Sequence, residues 1–228
     1  LALMETPAPD ATPWRDGFMT DMASLAEERT EEAAIATLPT HPRRALAEIR
    51  AALPRDAIVT LDTGNTCLQA ADRLAHYQSP GLITPLDFGL VGFGMPAAIG
   101  AKAAAPDRPV VAIMGDGSMG YTMIEVQTAV SHKLPVIFIV LDNQAWGAEK
   151  AYQQEFFGGR LLGAEIDSPR YDKFAELCGA RGFWVEGPGD MGPALEEALA
   201  SGDTCVIQGR IDPGALMTLR KDLFKPAK

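Results

Sequence analysis

Two uninterrupted apolar runs dominate the middle of the chain, residues 109–114 (Pro-Val-Val-Ala-Ile-Met) and residues 135–141 (Pro-Val-Ile-Phe-Ile-Val-Leu). Neither alternates with polar positions, which is the pattern of a short strand buried on both faces of a parallel sheet. Residues 119–131 between them read as a helix, so the three segments form a βαβ unit. Upstream, Pro42 opens a segment with apolar Ala45, Leu46, Ile49 and Leu53 at helical spacing, which Pro54 closes. Residues 57–61 then read as a strand. Downstream, residues 171–178 predict a helix with Phe174, Leu177 and Cys178 as its core stripe. Residues 183–185 predict a strand, residues 191–200 a helix started by Asp190, and residues 204–208 the last strand. Strands alternating with helices imply an α/β fold, a doubly wound and mostly parallel sheet with helices on both faces.

The same pattern divides the chain. Residues 1–38 do not read as a self-standing fold. Residues 1–4 suit the end of a strand, three prolines among residues 5–13 suit a linker, and residues 14–38 are charged and helix-rich. The compact domain spans 39–212. The tail, 213–228, is basic at its end and is expected to cover a neighbour. With 228 residues and 47% hydrophobic content, one generous α/β domain plus an appendage can bury its core. A formal net charge of −10 argues against a nucleic-acid partner. No apolar run reaches membrane-span length, and the first residues lack a basic signal-peptide flank. Cys67, Cys178 and Cys205 match no metal spacing and cannot all pair, which points to a reduced, cytoplasmic setting.

Both central strands end in polar motifs, Gly115-Asp116-Gly117-Ser118 and Asp142-Asn143-Gln144-Ala145. The C-terminal edge of an open α/β sheet is where ligands bind. A carboxylate and a carboxamide meeting there offer hard oxygens to Mg²⁺, and Ser118 at a helix start suits a phosphate. After the 57–61 strand, Gly64 permits a tight turn, and Asn65 and Thr66 add donors beside free backbone N–H groups; taken alone, an ordinary βα loop with a helix cap is the commoner explanation. Glycines 89, 92, 94 and 100 allow close backbone approach or tight helix packing, and their order is not a dinucleotide fingerprint. Residues 146–152 read as the first turns of a helix. Glu149 lies one turn beyond Ala145 and can look back toward the metal, or it can be a solvated helix start. Lys150 and Arg160 are able to pair with a substrate anion, although surface charges are the commoner explanation. His41, His76 and His132 form no constellation, which disfavours a hydrolase.

At these motifs the chain resembles the C-terminal cofactor-binding domain of the thiamine-diphosphate (ThDP) enzymes of the acetolactate synthase and pyruvate decarboxylase superfamily. Their signature is Gly-Asp-Gly followed about two dozen residues later by Asn-Asn; here twenty-four residues separate Gly117 from Asp142, which replaces the first Asn. The resemblance implies Mg²⁺ ligands at the Asp116 carboxylate, the Asn143 side-chain oxygen and the Ala145 carbonyl. It assigns the diphosphate to Gly64, Asn65 and Thr66, with Gly115, Gly117 and Ser118. It places Gly89, Leu90 and Val91 around the aminopyrimidine, with Val91 as the wedge that bends the cofactor. Trp146 and Gly147 complete the cofactor contacts, and Glu149 handles protons. The activating Glu of this superfamily lies on a separate pyrimidine-binding domain. The resemblance therefore implies that such a domain, of the same enzyme or a partner subunit, completes the site in a homodimer or homotetramer. Residues 143–150 resemble the sulfoacetaldehyde acetyltransferase branch, which implies a small carbonyl substrate and phosphate as co-substrate. Residues 88–93 look nearer to acetolactate synthase, which implies decarboxylase or carboligase chemistry on a 2-oxo acid. A ThDP-binding subunit without turnover is the third reading.

Overall fold

The computed structural model describes residues 12–85 and 88–218. The expected strand remnant at 1–4, most of the 5–13 linker, Asp87 and the basic end of the tail lie outside the described residues. Helices α1 (Thr12–Ala33) and α2 (Pro42–Ala52) lead into β1 (Ile58–Leu61), α3 (Asn65–Arg73) and the two-residue strand β2 (Leu82–Ile83). Next come α4 (Gly94–Ala104), β3 (Val110–Gly115), α5 (Asp116–Thr122), α6 (Glu125–Ser131) and β4 (Ile137–Asp142). The chain continues through α7 (Gly147–Phe156), α8 (Tyr171–Leu177), β5 (Arg181–Val185), α9 (Met191–Ser201) and β6 (Cys205–Arg210).

The six strands order as β2-β1-β3-β4-β6-β5, and every pair is parallel. The chain winds outward from β1 in one direction and from β3 in the other, so the topological switch lies between β1 and β3, where such sheets open a crevice at their C-terminal edge. Side chains alternate between two cores, as the strand period of two requires. Val59, Leu61, Val111, Ile113, Ile139 and Leu141 pack with α2, α3 and α9 on one face. Ile58, Val110, Ala112, Met114, Phe138 and Val140 pack with α4, α6 and α8 on the other. Burial on both faces is why the 109–114 and 135–141 runs show no alternation.

Three expectations change in detail. The helix expected over 119–131 is two helices, and bonds from Val126 N to Met123 O and from Gln127 N to Ile124 O tighten the chain between them to a three-residue turn. Leu177 is 87% exposed. The inward line of α8 is Tyr171 and Ala175 with Cys178 half-buried, and Leu177, two residues from Ala175, lies on the opposite side of the helix. Asp190 occupies the cap position of α9, but its carboxylate accepts from Gly187 N. The α9 N–H groups of Met191 and Gly192 are met instead by Glu48 of α2, at 3.1 and 3.4 Å. Apart from these, the described start of the tail is bonded to α3: Gln69 Nε2 donates to the Ala215 carbonyl at 3.1 Å.

Helix α1 is exposed over nearly its whole length. Its last turns anchor it, through Glu28, Arg29 and Glu32. Glu32 is 9% exposed at its side chain and pairs with Arg73 Nε at 2.9 Å and with Arg43. This ties α1 to α2 and α3.

Candidate active site

Three strand ends build one cavity at the switch point. Of its volume of about 140 Å³, the β1 side supplies Thr63, Gly64, Asn65 and Thr66, the β3 side Gly115, Gly117 and Ser118, and the β4 side residues 143 and 145–149. Gly89 and Val91 come from the glycine-rich segment before α4.

That segment is moored by Asp62, fully buried at the end of β1. Its Oδ1 accepts from Thr63 N and Gly92 N at 2.9 Å each, and its Oδ2 accepts from Gly94 N at 2.6 Å. Gly64 has φ 108°, a conformation that suits glycine, and caps α3 with no side-chain acceptor on the first N–H groups. Those donors face the cavity beside Ser118, whose Oγ bridges to the Thr63 carbonyl at 3.3 Å. Gly117 is required by contact: a Cβ there would lie 2.7 Å from the Trp146 ring. Trp146 in turn meets Tyr121 edge-on, centroids 5.8 Å apart.

Asp116 lies beneath this wall, fully buried. Its Oδ2 accepts from Ser168 Oγ at 2.6 Å, and its backbone carbonyl accepts from Tyr171 Oη at 2.9 Å. Its Oδ1 has no hydrogen-bond partner. Burial, and secondarily the charge of Asp142, push its pKa up to about 6 against the pull of Ser168 and the nearby Asn143 N–H. A buried carboxylate oxygen without a donor, beside a carboxamide, is the donor set of a hard divalent cation. Among the described residues no group of three or more His, Cys, Asp or Glu side chains is arranged to hold a metal. A cation here therefore needs amide and carbonyl oxygens as well as Asp116.

Asp142 serves a different end. It is 1% exposed and meets donors only. Oδ1 accepts from Gln144 N (3.1 Å) and Nε2 (2.7 Å), and Oδ2 from Gln208 Nε2 (2.9 Å), with Arg210 Nε at 3.5 Å. These bonds hold Gln144 at φ 55° and shape the turn that presents Asn143 and Ala145. Within the turn Asn143 Oδ1 accepts from Ala145 N at 3.2 Å.

Residues 62–208 match the family described as thiamine pyrophosphate enzyme, C-terminal TPP binding domain. The chain belongs to that family. It is 36% identical over 219 residues to a sulfoacetaldehyde acetyltransferase of Alcaligenes xylosoxydans, covering 91% of this chain and 36% of the relative. It is 34% identical over 186 residues to an acetolactate synthase large subunit of Mycobacterium tuberculosis, covering 82% and 34%. A ThDP-dependent 4-hydroxybenzoylformate decarboxylase of Rhodococcus jostii superposes with a TM-score of 0.71 at 31% identity, covering 77% of this chain and 33% of the other. The chain thus spans about a third of the length of these relatives. The matched region closes at Gln208 and contains all the cavity-lining residues.

Most of the residues singled out in the sequence of this ThDP-family chain therefore meet at one cavity. Asn65 lines it, but its amide is engaged by the tail: Oδ1 accepts from Met217 N at 3.0 Å, and Nδ2 donates to the Met217 carbonyl. Leu90 is half-exposed beside it, and Asp116 is buried behind it. Glu149 stands exposed at its rim. Lys150 and Arg160 are not brought to it. Lys150 pairs with Glu165 at 3.2 Å beside a separate hollow that it shares with Arg210, and Arg160 is exposed in the loop after α7. Sequence reasoning missed Asp62, Ser168, Tyr171 and Gln208. Only Asp62, at a strand end, carried a signal that could have found it.

Proposed function

We propose that this chain is the cofactor domain of a longer, cytoplasmic ThDP- and Mg²⁺-dependent acyltransferase that converts sulfoacetaldehyde and phosphate to acetyl phosphate and sulfite. The observation that carries this reading is the placement of the run 143–149. The stretch that resembles the acetyltransferases forms one whole wall of the cavity, from Asn143 through Trp146 to Glu149. Residues 1–38 are then a connection to a preceding domain, and 39–212 are the cofactor domain.

The proposed roles are those the cavity supports. Asp116 Oδ1, the Asn143 side-chain oxygen and the Ala145 carbonyl hold Mg²⁺. Backbone N–H groups at 64–66, with the Thr66 and Ser118 hydroxyls, bind the diphosphate; Asn65 contributes its backbone, since its side chain is taken by the tail. ThDP, when bound, supplies the carbanion-stabilising centre. Gly89, Leu90 and Val91 position the pyrimidine side, and Gly115, Gly117 and Gly147 allow close approach. Trp146 excludes water from the wall opposite, and Glu149 moves a proton at the substrate. Lys150 and Arg160 reach an anion only by leaving their present places. Phe88 and Leu90 in the glycine-rich segment, Tyr121 in α5 and Ile124 just after it are exposed, as a face covered by a second domain would be. A pyrimidine-binding domain carrying the activating Glu, of the same enzyme or a partner subunit in a homodimer or homotetramer, fits there.

The segment 88–93 and the 34% identity to acetolactate synthase favour a second reading, decarboxylation or carboligation of a 2-oxo acid such as pyruvate. One assay separates them. The full-length protein with ThDP and Mg²⁺ is given sulfoacetaldehyde and phosphate, with sulfite and acetyl phosphate followed, and pyruvate in parallel. Sulfite release that requires phosphate is the expected result. Pyruvate consumption without sulfite release replaces the first reading with the second, and turnover of neither leaves a binding subunit.

A further inference from the structure

Behind the cavity, one buried amide bonds to Asp142, beside Asn143, and to the segment that carries Ser168 and Tyr171 onto Asp116. Gln208 lies in β6 and is 1% exposed. Its Nε2 donates to Asp142 Oδ2 at 2.9 Å and to the Pro169 carbonyl at 3.0 Å. Its Oε1 accepts from Tyr171 N at 2.7 Å and from Asp172 N at 3.4 Å. The amide orientation is fixed by these partners. Flipped, its oxygen would face a carboxylate and a carbonyl, and its NH₂ would face two backbone N–H groups.

The bonds of the amide lead to two different segments. Through Asp142 it steadies Gln144, and with it the turn that carries Asn143 and Ala145. Through Pro169 and Tyr171 it fixes the segment that lays Ser168 Oγ on Asp116 Oδ2 and Tyr171 Oη on the Asp116 carbonyl. Oδ2 and the backbone carbonyl of Asp116 each hold a hydrogen bond, and Oδ1 is the buried oxygen without a partner.

We propose that Gln208 is a positioning residue for the metal site, a single side-chain amide that sets Asp116 and the Asn143–Ala145 turn relative to each other and acts through Ser168, Tyr171 and Asp142. This rests on the ThDP–Mg²⁺ reading above. The role requires an amide. Glu at 208 keeps the shape and the acceptor but turns an oxygen toward Asp142, and Leu supplies neither bond.

The test uses the full-length protein. Mg²⁺ is titrated calorimetrically at saturating ThDP, and the melting temperature is measured without either. Outer partners of metal ligands typically change metal affinity by about 10–100-fold. Gln208→Glu, Gln208→Leu and Ser168→Ala should weaken Mg²⁺ by that order, while Ser168→Thr, which keeps the hydroxyl, stays close to wild type. A scaffold-only Gln208 would lower the metal-free melting temperature and leave the Mg²⁺ affinity of the folded protein unchanged. That result, or wild-type affinity in Ser168→Ala, overturns the proposal. If Gln208→Leu does not fold, Gln208→Glu and Ser168→Ala decide. A wild-type protein that binds ThDP without needing Mg²⁺ removes the underlying reading instead, and the inference falls with it.

Discussion

Replacing Asp142 by Asn, the residue the resembling enzymes carry there, should destabilise this protein. All four groups around the carboxylate are donors: Gln144 N and Nε2 on Oδ1, and Gln208 Nε2 and Arg210 Nε on Oδ2. An Asn side chain can keep its oxygen on Gln144. Its NH₂ then points at Gln208 and Arg210, donor against donor. A hydrogen bond to a charged group contributes about 1.5–3 kcal/mol, and losing it in the interior strands the polar atoms on both sides. Gln208 Nε2 keeps its bond to the Pro169 carbonyl, which limits the loss. Arg210 is 41% exposed at its side chain, so its ion pair adds no more than about 1 kcal/mol. Removing the Asp142 charge also relieves Asp116, whose pKa it raises, and this offsets part of the cost. The net expectation is a loss of about 2 kcal/mol, a fall in melting temperature of roughly 4–8 °C for a domain of this size. Hydrogen exchange gives the local readout, because the Gln144 N–H loses its anionic acceptor and should exchange faster. Unchanged melting together with unchanged protection of Gln144 would show that Asp142 is not the keystone of this turn.

Gly117→Ala should cost about 1–2 kcal/mol, since overpacking against the Trp146 ring outweighs the helix propensity gained; a melting temperature at or above wild type refutes this. Glu149→Gln should slow turnover of the full-length enzyme far more than it weakens ThDP binding, and equal rates would return Glu149 to the surface. Glu32→Ala should lower stability by about 1–3 kcal/mol, less than for a fully buried pair because Arg73 retains Glu28 and Asp72, and should expose α1 to limited proteolysis; wild-type resistance would sink the anchoring argument. At pH 8 a thiol reagent should modify half-buried Cys178 first and leave Cys67 and Cys205 until unfolding, because burial raises all three thiols and encloses the latter two; rapid labelling of Cys67 in the native protein would contradict its packing.

What the sequence disclosed and what it withheld divide along a physical line. Asp116 and Asn143 were legible because each follows a strand directly, and strands buried on both faces announce themselves as apolar runs. The groups that orient them arrive from elsewhere: Ser168 is 52 residues from Asp116, and Gln208 is 66 from Asp142. Gln208 is a polar residue in an otherwise apolar strand, and pattern alone reads such a residue as turned to solvent. Asp142 likewise looked like a departure from the family's Asn, because its four donors come from Gln144, Gln208 and Arg210 and only one of those is a sequence neighbour. The break at 123–124 and the two-residue strand β2 are too short to leave a period. Leu177 misled because a residue's hydrophobicity does not say which side of a helix it occupies. The missing information is the register of β4 on β6, where Val140 faces Gln208 and Asp142 faces Arg210. A slip of one residue would turn Gln208 to the other face of the sheet and bring Ile207 or Gly209 against Asp142. The apolar residues of β6 enforce the register: Ile207 and Cys205 belong to one core and Val206 to the other, so a slip would exchange both sets. The cores of this fold therefore do more than stabilise the sheet. By fixing one parallel pairing, they decide which amide reaches Asp142.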